Sequence, residues 1–174
     1  PQIEPAIEMP ANVGDYRLLR ELGRGGMGVV WEAEQVGTGR RVALKVLSPE
    51  VVPSEETLAR FLREGRSAAA LSHPRSTFVF GAGEHGGQPY IIMELMPGRT
   101  LKDLVDKQGP LAPDAAVRYI LDVIDGLAEA HRLVVLHRAV KPANCFPTAD
   151  AREKVGAFVL SKPLLGSSVQ HRTL

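Results

Sequence analysis

Gly23-Arg24-Gly25-Gly26-Met27-Gly28-Val29-Val30 spaces three glycines as G-x-G-x-x-G and continues directly into a β-type run. Glycine lets a backbone come close to phosphate oxygens, because a Cβ would obstruct the approach and because Gly tolerates unusual φ/ψ. The motif by itself equally describes a glycine-rich hairpin turn. The element after the glycines decides between architectures. Dinucleotide-binding folds place three spaced glycines between a strand and a helix. Here Gly28 leads into a second strand, Val29–Gln35, and then a third, Arg41–Leu47, across the turn Val36-Gly37-Thr38-Gly39. The glycines therefore sit in a hairpin of a β-rich unit.

The rest of the chain is organised around that unit. Tyr16–Leu22 reads as the strand entering the glycine turn. A helix is expected near Glu55–Leu71, with Leu58, Phe61, Leu62 and Ala69 on one face, Ser54 as N-cap, and Glu55 and Glu56 complementing the helix dipole. Phe78–Gly81 and Pro89–Leu95 read as two more strands, parted by a glycine turn over Gly83–Gly87. A short helix is expected near Leu101–Lys107 and a long one near Pro113–His131. The long helix carries Val117, Ile120, Leu121, Ile124, Leu127 and Ala128 at helical spacing. Five strands with one inserted helix, then helices, make an α+β fold with a small β-rich lobe before a helical one. Residues 1–14, with Pro1, Pro5 and Pro10, read as a flexible arm.

Composition narrows the function classes. A chain of 174 residues with 44% hydrophobic content buries a real core. Its 21 basic and 20 acidic residues leave a formal charge of +1, which gives no reason to expect nucleic acid or a membrane surface as partner. No apolar run approaches the roughly 20 residues of a membrane span, and no signal peptide is read at the N-terminus. Cys145 is the only cysteine, which fits a reducing compartment, so a cytoplasmic location is expected.

Val42-Ala43-Leu44-Lys45 lies on the third strand, with Lys45 seventeen residues after Gly28. A lysine there can reach phosphates from beneath the glycine loop; otherwise it is a solvated surface lysine. Glu64 on the next helix supplies a counter-ion for Lys45, or else a surface partner for Arg60 one helical turn away. The order of glycine loop, strand lysine and helix glutamate carries more than any one element.

Taken together, these motifs resemble a protein kinase, most similar to the bacterial Ser/Thr kinases of eukaryotic type. The resemblance runs from about Tyr16 to Lys162, through Leu71-Ser72-His73-Pro74, Tyr90-Ile91-Ile92-Met93-Glu94-Leu95-Met96-Pro97-Gly98 and His137-Arg138-Ala139-Val140-Lys141-Pro142-Ala143-Asn144. It implies an N-lobe of a five-stranded antiparallel sheet plus one helix over residues 15–96. It also implies a partial helical C-lobe over 97–174, ending in the activation segment. By the same resemblance Gly23, Gly25 and Gly28 cover the phosphates of ATP, and Val30 and Ala43 sandwich the adenine. Met93 is the gatekeeper, and the Glu94–Met96 backbone faces the base. Lys45, Glu64, Lys141 and Asn144 are the remaining catalytic residues, with Asn144 also a metal ligand. A protein partner or substrate is implied as well.

The departures from the pattern bear on chemistry. Ala139 stands where the family has its catalytic Asp, and Ala157, in Gly156-Ala157-Phe158-Val159, where it has its principal Mg²⁺ ligand. Loss of a positioned base costs about 10²–10⁴ in rate, and loss of a metal clamp several kcal/mol more. Negligible phosphotransfer is expected, with ATP bound in a manner that depends little on Mg²⁺. The reading is a pseudokinase with a scaffold or regulatory role; the alternatives are a fragment or inactivated variant of an active kinase, or an active kinase using Asp150 or Glu153. Val134 stands where the family usually has Gly after the long helix. Arg75-Ser76-Thr77 is polar where the family is usually apolar, and Gly65 interrupts the helix that carries Glu64. No Ala-Pro-Glu motif appears, so part of the long helix is expected to lack cover.

Overall fold

In the computed structural model the described residues are 11–25, 27–48, 51, 54–96, 98–137, 139–148 and 153–156. They form strands β1 (Asn12–Val13), β2 (Tyr16–Gly25), β3 (Gly28–Gln35) and β4 (Arg41–Leu47), helix α1 (Glu55–Ala69), and strands β5 (Val79–His85) and β6 (Gln88–Met93). Helices α2 (Leu101–Gln108) and α3 (Pro113–Arg132), a 3-10 turn (Pro142–Asn144) and strands β7 (Cys145–Pro147) and β8 (Glu153–Val155) complete them. The large sheet is antiparallel in the order β1-β2-β3-β4-β6-β5, and β7 and β8 form a separate hairpin.

The period-two pleat of β4 divides the first lobe's core. Val42, Leu44 and Val46 join Val13, Ala33 and Ile92 on one face of the sheet. On the other face Leu47 packs with Val51, Phe61, Ala68, Val79 and Ile91 beneath α1. That helix starts at Ser54, whose hydroxyl accepts the Thr57 N–H at 3.2 Å, as its sequence predicts. A third cluster of Leu71, Val123, Ala130, Val135, Cys145 and Val155 holds α3 against the β7–β8 hairpin.

Four features differ from the sequence reading. Asn12–Val13, expected within the arm, pairs with β2 as a sixth strand, because Val13 can bury itself almost completely against Ala33 and Val42. β5 runs through Gly81 and Gly83 to His85, leaving only Gly86 and Gly87 for the turn. Gly83 is a space requirement: a Cβ there would lie 2.7 Å from the Tyr90 ring. The third difference is the β7–β8 hairpin itself, whose two strands are only three residues each and carry no periodic pattern.

The fourth difference concerns α3. Its apolar stripe is expected to lose part of its cover, and Val117, Ile120, Leu121 and Ile124 are each more than half exposed; the difference lies in what the helix does bury. Its buried residues are Asp122, Val123, Gly126 and Ala130. Gly126 permits this seat, since a Cβ would meet the Arg75 carbonyl oxygen at 2.6 Å. Of the polar residues 75–77, Arg75 is explained by the same contact. Arg75 faces buried Asp122 at 3.6 Å, and the Thr77 N–H donates to the Val155 carbonyl at 2.9 Å.

Candidate functional site

The pleat that buries Leu44 and Val46 turns Ala43 and Lys45 to the opposite face. Strand register then sets their neighbours: Val30 pairs with Lys45 across β3–β4, and Ala43 with Met93 across β4–β6. These four residues line a cavity of about 310 Å³ between the sheet and the β7–β8 hairpin. Leu22 and Gly23 of β2, the segment Glu94–Met96, and Asn144 and Phe146 close it from other sides.

The three spaced glycines do different things. Gly23 lines the cavity, and open space surrounds the positions a Cβ would take at Gly23 and Gly25. Gly28 has φ 134°, and a Cβ there would lie 2.1 Å from the Val46 carbonyl oxygen. Its role in the structure is to let β3 lie against β4, so one glycine of the motif is a packing requirement.

The loop at the cavity's lower rim is held by its own polar groups. Asn144 Nδ2 donates to the Ala139 carbonyl at 2.8 Å, and the Asn144 carbonyl accepts the Gly156 N–H at 2.8 Å. His137 is buried; its Nδ1 accepts the Ala139 N–H at 3.2 Å, and its Nε2 hydrogen-bonds the Gly156 carbonyl. That pattern requires a neutral ring protonated on Nε2. Burial pushes the His137 pKa down, with the Gly156 carbonyl partly opposing the shift. Lys141 is exposed at the head of the 3-10 turn.

Charge immediately around Lys45 is one-sided. The Lys45 ammonium has a lowered pKa, first because burial strips it of water and second because Lys141 is also positive. Among the described residues no carboxylate lies within 4 Å of it. The expected Lys45–Glu64 ion pair is therefore not made. Glu64 lies half-buried on α1, whose position is fixed next door, where Gly65 rests on Ala82 of β5.

The protein kinase domain model matches residues 16–173. This chain belongs to the protein kinase family. Bacterial Ser/Thr kinases are among its relatives. It is 37% identical over 155 residues to the probable serine/threonine-protein kinase PknB of Lactococcus lactis, covering 88% of this chain and 25% of that protein. With the serine/threonine-protein kinase PrkC of Bacillus subtilis it shares 34% over 158 residues, covering 91% and 24%. Among solved structures, a Mycobacterium tuberculosis PknI kinase domain superposes with a TM-score of 0.74 at 32% identity, covering 87% of this chain and 63% of that one. The chain thus spans about a quarter of the length of the curated relatives it matches.

The fold is that of the kinase N-lobe with part of the helical lobe. Of the residues the sequence singled out, Gly23, Val30, Ala43, Lys45, Met93, Glu94, Met96 and Asn144 meet at one cavity. Gly25, Gly28, Glu64, Ala139 and Lys141 are not in its lining, and Ala157 and Asp150 lie outside the described residues, as does the Glu153 side chain. Sequence reasoning missed Thr77 and Phe146. Phe146 offered only its apolar character, since the three-residue strand β7 is too short to show a period. Thr77 had no such signal, because only the pairing of residues 75–77 with β8 turns it toward the cavity.

A nucleotide fits this donor set: apolar Val30, Ala43 and Phe146 for a base, open space at Gly23, and the cation Lys45 for phosphate. Mg²⁺ fits poorly. It wants several oxygen ligands, whereas Ala139 and Ala157 offer no side-chain oxygen. No cluster of three His, Cys, Asp or Glu side chains occurs among the described residues. Asn144, the remaining family ligand position, commits its Nδ2 to Ala139 and leaves one amide oxygen.

Proposed function

We propose that this chain is the nucleotide-binding part of a Ser/Thr protein kinase domain that binds ATP without transferring its phosphoryl group, and so serves as a scaffold or regulator. The observation that carries the reading is the charge of the cleft. Lys45 is desolvated, faces the positive charge of Lys141, and has no nearby carboxylate among the described residues. A phosphate chain supplies the missing negative charge directly, where a working kinase shares that task with metal ions and acids. In this chain's own terms, Lys45 holds phosphate, Val30, Ala43 and Phe146 enclose the base, and Glu94–Met96 offer backbone to its edge. No side chain at position 139 can accept the proton of an attacking hydroxyl.

The test is a sensitive phosphate-transfer assay on a generic basic protein and on the chain itself, with Mg²⁺ and with Mn²⁺. The expected result is no turnover above a Lys45→Ala control. Turnover that disappears in Lys45→Ala would show an active enzyme and overturn the proposal.

A further inference from the structure

Glu94 joins β6 to the segment that faces the cavity, and every one of its polar groups but the carbonyl is engaged inside the protein. Its N–H donates to the Phe78 carbonyl at 2.8 Å, and one carboxylate oxygen accepts the Phe78 N–H at 3.1 Å. Both carboxylate oxygens accept from Lys154 Nζ, at 2.8 and 3.0 Å. The same ammonium stands 5.0 Å from the centroid of the Phe78 ring. Lys154 lies sixty residues further along the chain, on β8, in the helical lobe's hairpin.

Exposed ion pairs contribute little, but this one is only 16% and 26% exposed at its two side chains. It is bidentate at the carboxylate and shares that carboxylate with a backbone N–H. Such charge-assisted geometry fixes orientation as well as adding energy. Three parts of the chain converge on one side chain: the approach to β5 through Phe78, the end of β6, and β8. Of the polar groups of Glu94, what remains for a ligand is the main-chain carbonyl.

We propose that Lys154 is a positioning residue for base recognition. Through Glu94 it anchors the 94–96 backbone that reads the edge of a purine, and it has no part in holding phosphate, which falls to Lys45 and Lys141. The inference rests on the nucleotide reading above, and it separates the two halves of the ligand.

The test uses adenosine and inorganic tripolyphosphate as separate probes, titrated calorimetrically into the chain and into Lys154→Met, Lys154→Arg and Glu94→Gln. Amide hydrogen exchange at residues 94–96 is followed in each without ligand. Lys154→Met is expected to weaken adenosine roughly tenfold, the scale of one charge-assisted hydrogen bond, and to leave tripolyphosphate within about twofold. Lys154→Arg retains adenosine, and Glu94→Gln, which keeps an acceptor for Phe78, behaves like Lys154→Met. Exchange at 94–96 rises about tenfold or more in Lys154→Met. Equal weakening of both probes, or unchanged exchange, overturns the proposal. If the unaltered chain binds neither probe, the nucleotide reading fails. The exchange result then still judges the anchor, unchanged rates refuting it and faster rates supporting it.

Discussion

The positive charge of Lys141 bears on Lys45 and adds to the lowering of its pKa by burial, with no carboxylate within 4 Å among the described residues to oppose it. A cleft of this kind holds a cation at a cost. Replacing Lys45 by Met keeps the stem and removes the desolvated charge. We expect Lys45→Met to stabilise the ligand-free chain by about 1 kcal/mol, the lower end of the cost of a buried polar group without compensation, while abolishing nucleotide-induced stabilisation. Denaturant unfolding with and without an ATP analogue measures both. A destabilised ligand-free variant would mean that Lys45 has a compensating partner. The sign also follows from pH. The Lys45 pKa is lowered on folding, so its cost is present at neutral pH and fades as pH rises from the folded value toward the ordinary ~10.4.

Gly65 offers a contest between two effects of known sign. Inside a helix, Ala is favoured over Gly by about 1 kcal/mol. A Cβ at Gly65, however, would lie 2.5 Å from Ala82 Cβ, and neither group can swing aside. Overpacking of this kind costs about 1–3 kcal/mol. Gly65→Ala should therefore destabilise by roughly 1 kcal/mol net, and Gly65→Ala with Ala82→Gly should recover part of the loss. Unfolding free energies of the two variants decide it, and a stabilised single variant would show that α1 does not rest on β5 as described.

Val134 sits at φ 59°, the only non-glycine with positive φ among the described residues. Its N–H donates to the His131 carbonyl and the next N–H to the Ala130 carbonyl, at 2.9 and 2.8 Å. This is the Schellman end of a helix, with a β-branched residue in the left-handed position that favours glycine. The side chain is almost wholly exposed, so nothing is lost with it. Val134→Gly should stabilise by about 1 kcal/mol, read as a higher unfolding midpoint.

His137 makes stability depend on acid. Its ring is neutral in the folded state, and its pKa is pushed down by burial. Above ~6.5, the ordinary value, both folded and unfolded forms are uncharged. As pH falls from there toward the lower folded pKa, the unfolded chain takes up the proton first, and stability declines. The unfolding midpoint should drop as pH falls below about 6.5, the ordinary histidine value. The drop should be smaller in His137→Gln, which cannot titrate. An equal slope in both would assign the acid sensitivity to other groups.

Much of this was legible in the sequence because local signals agreed. Strand alternation in Arg41–Leu47 already implied that Ala43 and Lys45 share a face, and Ser54 announced the start of α1. The chain's polar and small residues were harder to read, because their meaning lies in what they touch. Gly28 reads as a phosphate-loop glycine, yet its tightest constraint is the Val46 carbonyl. Gly83 reads as a turn but makes room for Tyr90. The stripe from Val117 to Ile124 reads as an apolar face short of cover, which it is, but nothing in the pattern marks Gly126 and Ala130, too small to register as hydrophobic pattern, among the residues α3 buries. The tie between Glu94 and Lys154, sixty residues apart, leaves no local trace at all.

The central claim is a cleft that binds nucleotide through Lys45 with little need of a divalent cation. Its most direct test is calorimetric titration of a non-hydrolysable ATP analogue into the chain, once in EDTA and once in Mg²⁺, with Lys45→Ala alongside. The account predicts affinities within about threefold of each other in the two buffers, and loss of binding in Lys45→Ala. Binding that appears only with Mg²⁺, or that survives Lys45→Ala unchanged, would contradict it.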